Sequence, residues 1–230
     1  MTSAYAQTPQ VLVRLAKVGK CFGERPVLRG VSVEVLAGEA LLVVGRNGAG
    51  KSTLLRIMAG LSRPEPGEAQ QLVAQDRVAF LGHSPFVYPR LSADANLDFW
   101  TRMQGRRLDR AARTALLDRV GLADFADEPA GTFSRGMTQR LDLARAFAQG
   151  PQLFFLDEPA SGLDAASSAL LRREIAAARD AGAGVVMISH DVAGDLALAD
   201  RVLHLAGTRA VYCGPARDFD AAAFLAEGTC

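Results

Sequence analysis

The sequence predicts an α/β fold: a mostly parallel sheet covered by helices, preceded by a small antiparallel β layer and interrupted by an inserted helical lobe. Three observations predict it. A fully apolar run, Ala40–Val44, leads through a glycine-framed turn into the helix former Thr53–Ala59, which stops at Gly60. After Pro151, strand-like and helical runs alternate. Between these, from Ser92 to about Gln149, apolar residues recur three and four apart.

In chain order, Val11 to about Val35 alternates apolar and polar positions around Gly19, Gly23 and Gly30, the pattern of strands and turns in an antiparallel layer. Arg63-Pro64-Glu65-Pro66-Gly67 is a turn, and Arg77–Leu81 a strand ending at Gly82. The helical lobe, about residues 84–149, includes amphipathic stretches at Asp94–Trp100 and Asp109–Val120. Strands are expected at Gln152–Leu156, Gly184–Ser189 and Arg201–Leu205, and helices at Ala165–Ala181 and Val192–Ala199. One short amphipathic helix carrying Phe219, Phe224 and Leu225 fits after Pro215. Together these make one domain over residues 1–230 with no transmembrane segment.

Composition narrows the function classes. With 230 residues and 49% hydrophobic content, the chain can bury a large core without staples. Cys21, Cys213 and Cys230 are odd in number and widely spaced, which argues for reduced thiols and against a disulfide framework. A net charge of +1 from intermixed signs gives no basic stripe for nucleic acid. No run reaches the roughly eighteen apolar residues of a membrane span, and the N-terminus lacks the basic start and apolar block of a signal peptide.

Chemistry concentrates in a few motifs. Gly45-Arg46-Asn47-Gly48-Ala49-Gly50-Lys51-Ser52 fits the phosphate loop without mismatch. Its glycines let backbone N–H groups curl around phosphate oxygens while the following helix aims its positive end at the same anion. Lys51 is expected to neutralise β- and γ-phosphates, and the Ser52 hydroxyl to ligate the Mg²⁺ that travels with a nucleoside triphosphate. Asp157 and Glu158 close the apolar run Leu153–Leu156, at the strand end where ligand sites of parallel sheets form. Asp157 suits Mg²⁺ and Glu158 suits polarising a water; two solvated acids are the bland alternative. His190, in Ser189-His190-Asp191, follows another apolar strand, a position that more often holds a structural histidine than a catalytic one. Ser134 is a plausible N-cap over Leu141–Ala148, in a second helix start that favours anions.

Taken together, Gly45–Ser52, Phe133-Ser134-Arg135-Gly136-Met137 and Leu153–Glu158 resemble, in content and order, the motifs of the ATP-binding-cassette ATPases, whose fold is that of the P-loop NTPases with a RecA-like sheet. The resemblance covers nearly the whole chain. It implies ATP and Mg²⁺ as cofactors, with Thr53 joining the phosphate loop and Phe22 stacking on adenine, a contact worth about 1–3 kcal/mol. Core packing is the alternative for Phe22. The resemblance also implies that His190 touches the γ-phosphate, that Asp164 lies in the loop crossing to a partner subunit, and that Ser134 and Gly136 close over ATP held by the opposite protomer. Asp164 reads equally as a helix N-cap. The implied assembly is an ATP-dependent head-to-tail dimer, peripheral on the cytoplasmic face of the inner membrane and energising separately encoded permease subunits.

The chain departs from the family pattern at three positions. Arg135 replaces the first glycine of the signature triplet, bringing a charge expected near the phosphates, and Met137 replaces its glutamine. His83, in Gly82-His83-Ser84-Pro85, stands where most of the family has a glutamine that contacts Mg²⁺ and the lytic water; an imidazole titrates near neutral pH and an amide does not. The Gly-His pair, the Ser-Arg-Gly-Met signature and the short C-terminus resemble, within the family, the ATPase subunits of the heme exporters of cytochrome c maturation. Exporters of drugs, lipids or polysaccharides, soluble cassette ATPases of ribosomes or DNA, and phosphate-loop kinases are the rival classes.

Overall fold

The structure is a computed structural model and describes residues 10–189 and 191–227. His190 lies outside the described residues, so its expected contact with phosphate has no counterpart below.

Two sheets share the molecule. In the smaller, β1 (Val11–Phe22) pairs antiparallel with β2 (Arg25–Leu36) on one side and, across the chain, with β4 (Glu68–Gln71) on the other. The larger has six strands in the order β5-β6-β7-β3-β8-β9. Its members β3 (Ala40–Val44), β5 (Val78–Leu81), β6 (Leu153–Asp157), β7 (Gly184–Ile188) and β8 (Arg201–Ala206) run parallel, and β9 (Arg209–Pro215) returns antiparallel along β8. The expected mostly parallel sheet behind an antiparallel layer is therefore present.

Three details of the strands differ from the sequence expectation. Of the three glycines read as turns, only Gly23 turns the chain; Gly19 and Gly30 lie inside β1 and β2, which pair through several register shifts. β4 carries Glu68-Ala69-Gln70-Gln71, without the apolar alternation that marks a strand, and is strand because the free edge of β1 pairs with it. β9 was hidden behind a two-residue turn, Gly207-Thr208, in which both residues have positive φ (52° and 73°), the backbone that closes tight hairpins.

Helices fill the connections: α1 (Lys51–Met58), α2 (Ala93–Met103), α3 (Arg110–Arg119), α4 (Arg135–Ala148), α5 (Ala165–Asp180), α6 (Val192–Leu196) and α7 (Ala221–Glu227). α6 is shorter than its sequence pattern, and Phe219 precedes α7 rather than riding on it. Side-chain caps fix the starts of α2, where Ser92 accepts from Ala95 N (3.1 Å), and of α3, where Asp109 accepts from Ala112 N (2.8 Å). Among the described residues no helix is long and apolar enough to cross a membrane.

Alternate residues of β3 enter two cores on opposite faces of the large sheet. Leu42 and Val44 join Leu97, Leu117, Leu143, Phe154 and Met187 on the side of α2–α4, while Leu41 and Val43 join Leu54, Ile57, Phe155 and Val186 beneath the small sheet and α1. Burial on both faces explains why these strands read as unbroken apolar runs. Their register puts Val43 of β3 and Asp157 of β6 level with Ile188 of β7. The segments after Val44, Asp157 and Ile188 therefore leave the sheet at one edge, where the candidate site forms.

Candidate nucleotide site

The chain from β3 to α1 makes the phosphate loop as expected. Gly45 has φ 150° and packs against β8 so closely that a Cβ there would lie 2.4 Å from the Leu205 carbonyl oxygen, a clash with backbone that no rotamer relieves. Gly48 and Gly50 also have positive φ (79° and 97°), and Gly50 is the residue from which α1 starts. The buried Lys51 reaches back over the loop and donates to the carbonyl oxygens of Gly45 (2.7 Å) and Arg46 (3.2 Å). Burial pushes its ammonium pKa down, and the carboxylates of Glu158 and Asp157 push it back up. A compact cation on a flexible stem, held by two neutral carbonyls, can exchange them for phosphate oxygens at little cost.

Ser52, on the first turn of α1, donates to Asp157 Oδ1 at 3.2 Å, joining the loop to the end of β6. Asp157 is buried; desolvation pushes its carboxyl pKa up, the Ser52 hydrogen bond pulls it down, and Glu158 next door adds to the rise. A hydroxyl and a carboxylate oxygen facing each other are hard oxygen donors suited to Mg²⁺. The charge of such an ion would relieve the desolvated carboxylate.

Glu158 leaves the strand with φ 55°, a left-handed backbone that costs a non-glycine residue roughly 1–2 kcal/mol. Two hydrogen bonds hold it there: its N–H donates to Ile188 O (3.1 Å) and its carbonyl accepts from Ser161 N (3.1 Å). The result turns its side chain toward the phosphate loop, where it lines the same cleft as Lys51 and Ser52. His83, in the segment after β5, places Nδ1 3.7 Å from Glu158 Oε2. Its side chain is 66% exposed, so the pair is worth at most about 1 kcal/mol and matters for geometry rather than for stability.

The cleft, about 390 Å³, is bounded by Phe22, Arg25, Val27, Asn47, Gly48, Gly50, Lys51, Ser52, Thr53 and Glu158. Phe22 is 59% exposed at its rim, which removes the core-packing alternative and leaves an apolar face open to a planar ring. Arg25 and Val27 are cleft residues that the motif pattern did not single out. Arg25 is brought there by strand pairing: it lies opposite Phe22 across the two-residue turn at Gly23-Glu24, so whatever stands over one stands beside the other.

Ser134, Gly136 and Asp164 do not line this cleft. They form a second face of the chain. Ser134 caps α4 by accepting from Met137 N (3.2 Å), and Asp164 caps α5 by accepting from Ser167 N (2.7 Å), the hydrogen bond that chiefly holds its carboxyl below the usual range. The two loops touch: a Cβ on Gly136 would meet Ser167 Oγ at 3.4 Å and Leu163 Cδ2 at 3.8 Å. Arg135 lies over Gly162 of its own chain, so tightly that a Cβ there would be 2.7 Å from the guanidinium carbon.

Comparison with known proteins gives the family and the fold. A family profile described as "ABC transporter" matches residues 28–161. The aliphatic sulfonates import ATP-binding protein SsuB of Mycobacterium avium is 39% identical over 202 residues, covering 86% of this chain and 79% of that one. The cytochrome c biogenesis ATP-binding export protein CcmA of Paramagnetospirillum magneticum is 40% identical over 179 residues, covering 73% of this chain and 82% of that one. A solved structure titled "Structure of ATP binding subunit of ABC transporter" superposes with a TM-score of 0.83 over 95% of this chain and 100% of its own; at 24% identity that likeness speaks for the fold.

Proposed function

The chain belongs to the ABC transporter family as an ATP-binding, ATP-hydrolysing subunit, and on that premise we propose that it drives a separately encoded permease in cytochrome c biogenesis, with heme as cargo. The observation that carries the mechanism is the division of the site. Lys51, Ser52, Asp157, Glu158 and His83 meet at one sheet edge, while Ser134, Gly136 and Asp164 stand apart on a face that the cleft does not reach. Each chain then supplies half of each catalytic site in a head-to-tail dimer, and the signature face of one copy closes the cleft of the other.

Adenine stacks on Phe22, with Arg25 beside it, and the phosphates lie along the amides of Gly48–Ser52 against Lys51. Mg²⁺ held by Ser52 and Asp157 would neutralise charge on the terminal phosphates. Glu158 accepts a proton from the attacking water, and the His83 imidazole, 3.7 Å from the same carboxylate, orients it. Bulk solvent, apart from the attacking water, is excluded when the signature face of the second copy covers the cleft.

Two observations support the choice of partner. His83 stands where most of the family has glutamine, as it does in the cytochrome c maturation ATPases that the sequence resembles, and CcmA relatives from two bacteria are 40% and 38% identical. Beyond His83 the chain exposes an aromatic cluster on residues 84–149, the proposed helical lobe: Phe86 and Tyr88 are about half exposed and pack with Phe99 and Trp100. Such a patch suits a membrane-protein partner and would place it one loop away from Glu158. SsuB relatives of equal identity favour a second reading, an import system for sulfonates. Tagged Glu158→Gln protein, pulled from detergent-solubilised membranes with ATP, separates the two: co-purified cytochrome c maturation permease supports the first, an import permease the second, and no membrane partner defeats both.

A further inference from the structure

An ion pair that the mechanism does not use lies buried in α4, the helix that begins at the signature. Asp142 is fully buried and accepts from Arg145 Nε at 2.6 Å, one turn along the helix. Its second oxygen, Oδ2, has no hydrogen-bond partner of ordinary geometry. Desolvation pushes its carboxyl pKa up against the pull of Arg145 and, more weakly, of the Phe86 backbone N–H, so the charged pair is costly as a stabilising device, and well-packed apolar side chains often do as well or better in such places.

Arg145 also reaches outward. Its Nη2 donates to Phe80 O (3.1 Å), near the end of β5, and its guanidinium lies 5.5 Å from the Phe86 ring centre and 5.3 Å from that of Trp100. Phe86 is held from its other side by Trp100 Nε1, which donates to its carbonyl (3.1 Å). One guanidinium therefore fixes both ends of a short segment, Phe80 to Phe86, whose middle residue is His83. Asp142 keeps that guanidinium oriented, and without it Arg145 has rotamer freedom to leave both anchors.

We infer that the buried Asp142–Arg145 pair is a positioning device that holds the His83 segment at the distance from Glu158 at which the imidazole can act, tying the signature helix to the hydrolytic carboxylate within one chain. The inference rests on the proposed role of Glu158 and adds to it residues that touch neither nucleotide nor water.

The test replaces the pair by apolar side chains of similar volume, Asp142→Leu with Arg145→Met, which removes both charges together, so that neither is left buried without its opposite. Arg145→Lys is a second, milder variant that keeps the charge beside Asp142 but loses the planar fork. The chain has three histidines, so the ring Cε1–H resonances of the full-length protein are few and assignable, with His204 as reference. In both variants the His83 resonance should move toward its position in Glu158→Gln protein. ATP turnover by the assembled transporter should fall about tenfold in kcat with KM within about twofold, and adding His83→Ala should cost nothing further, because the pair acts through that residue. An unmoved His83 resonance overturns the inference, and so do losses that add. The resonance needs no turnover, and the parent protein's Glu158-dependent hydrolysis, run alongside, tests the functional reading on its own.

Discussion

At the phosphate-loop edge, polar groups are sunk into the protein beside their opposites: Lys51 and Asp157 are buried, and Ser52 and Glu158 complete a mixed-charge set within a single cleft. On the signature face, Ser134, Arg135 and Asp164 are exposed, and their side chains are occupied with their own chain, two as helix caps and one laid over Gly162. The first region carries unfavourable desolvation and left-handed backbone that a ligand would relieve; the second carries little of either. A cleft built in this way is ready to bind nucleotide within one chain, whereas a face whose side chains are already satisfied offers a partner its shape and its backbone amides.

The sharpest way to break the contrast is Glu158→Gln. It should lower ATP turnover by at least ~10²-fold while nucleotide affinity stays near that of the parent, measured by phosphate release and by equilibrium binding. If affinity falls with turnover, the carboxylate belongs to the binding surface instead. Lys51→Ala should do the reverse and weaken ATP binding in the isolated subunit by about 2 kcal/mol, roughly 30-fold, as expected for a lost charge-assisted contact to phosphate.

A smaller effect concerns stability without ligand. Because the folded-state pKa of Asp157 lies above its unfolded value, the folded chain holds that proton more tightly, and stability falls as pH rises from the unfolded value through the raised one. Asp157→Asn should flatten this acid-range slope and melt no lower than the parent near neutral pH, even as it abolishes Mg²⁺-dependent turnover. Thermal melts of both proteins across the acid range check it, and an unchanged slope would place the titrating group elsewhere. The smallest effect belongs to the other region: Ser134→Ala should cost about 1 kcal/mol of stability through the lost cap, leave nucleotide affinity of the isolated subunit unchanged, and reduce turnover only where a second copy is present.

The two regions also differ in how far they could be read from the sequence. The phosphate loop is a local object in which glycine spacing, the flanking strand and Lys51-Ser52 are contiguous, and its position and conformation were as expected. Asp157 and Glu158 were legible as a strand end, because burial on both faces makes the strand an unbroken apolar run. Arg25 was missed because its place in the cleft comes from cross-strand pairing rather than from a motif. The contact of the Arg135 guanidinium with Gly162 was not legible either, because it joins two segments that share no local pattern. β4 and β9 escaped for a related reason: one is strand only because an edge was free, the other only because the Gly207-Thr208 turn permits it.

The left-handed backbone of Glu158 has a consequence for every experiment at that position. Glutamine inherits the same torsion angle, so the parent and Glu158→Gln share the strain and their comparison isolates the carboxylate charge. Glycine would relax it. Glu158→Gly should therefore be an inactive protein that melts higher than expected for a side-chain deletion, and that excess would measure the folding stability the chain forgoes to keep a carboxylate where water must be activated.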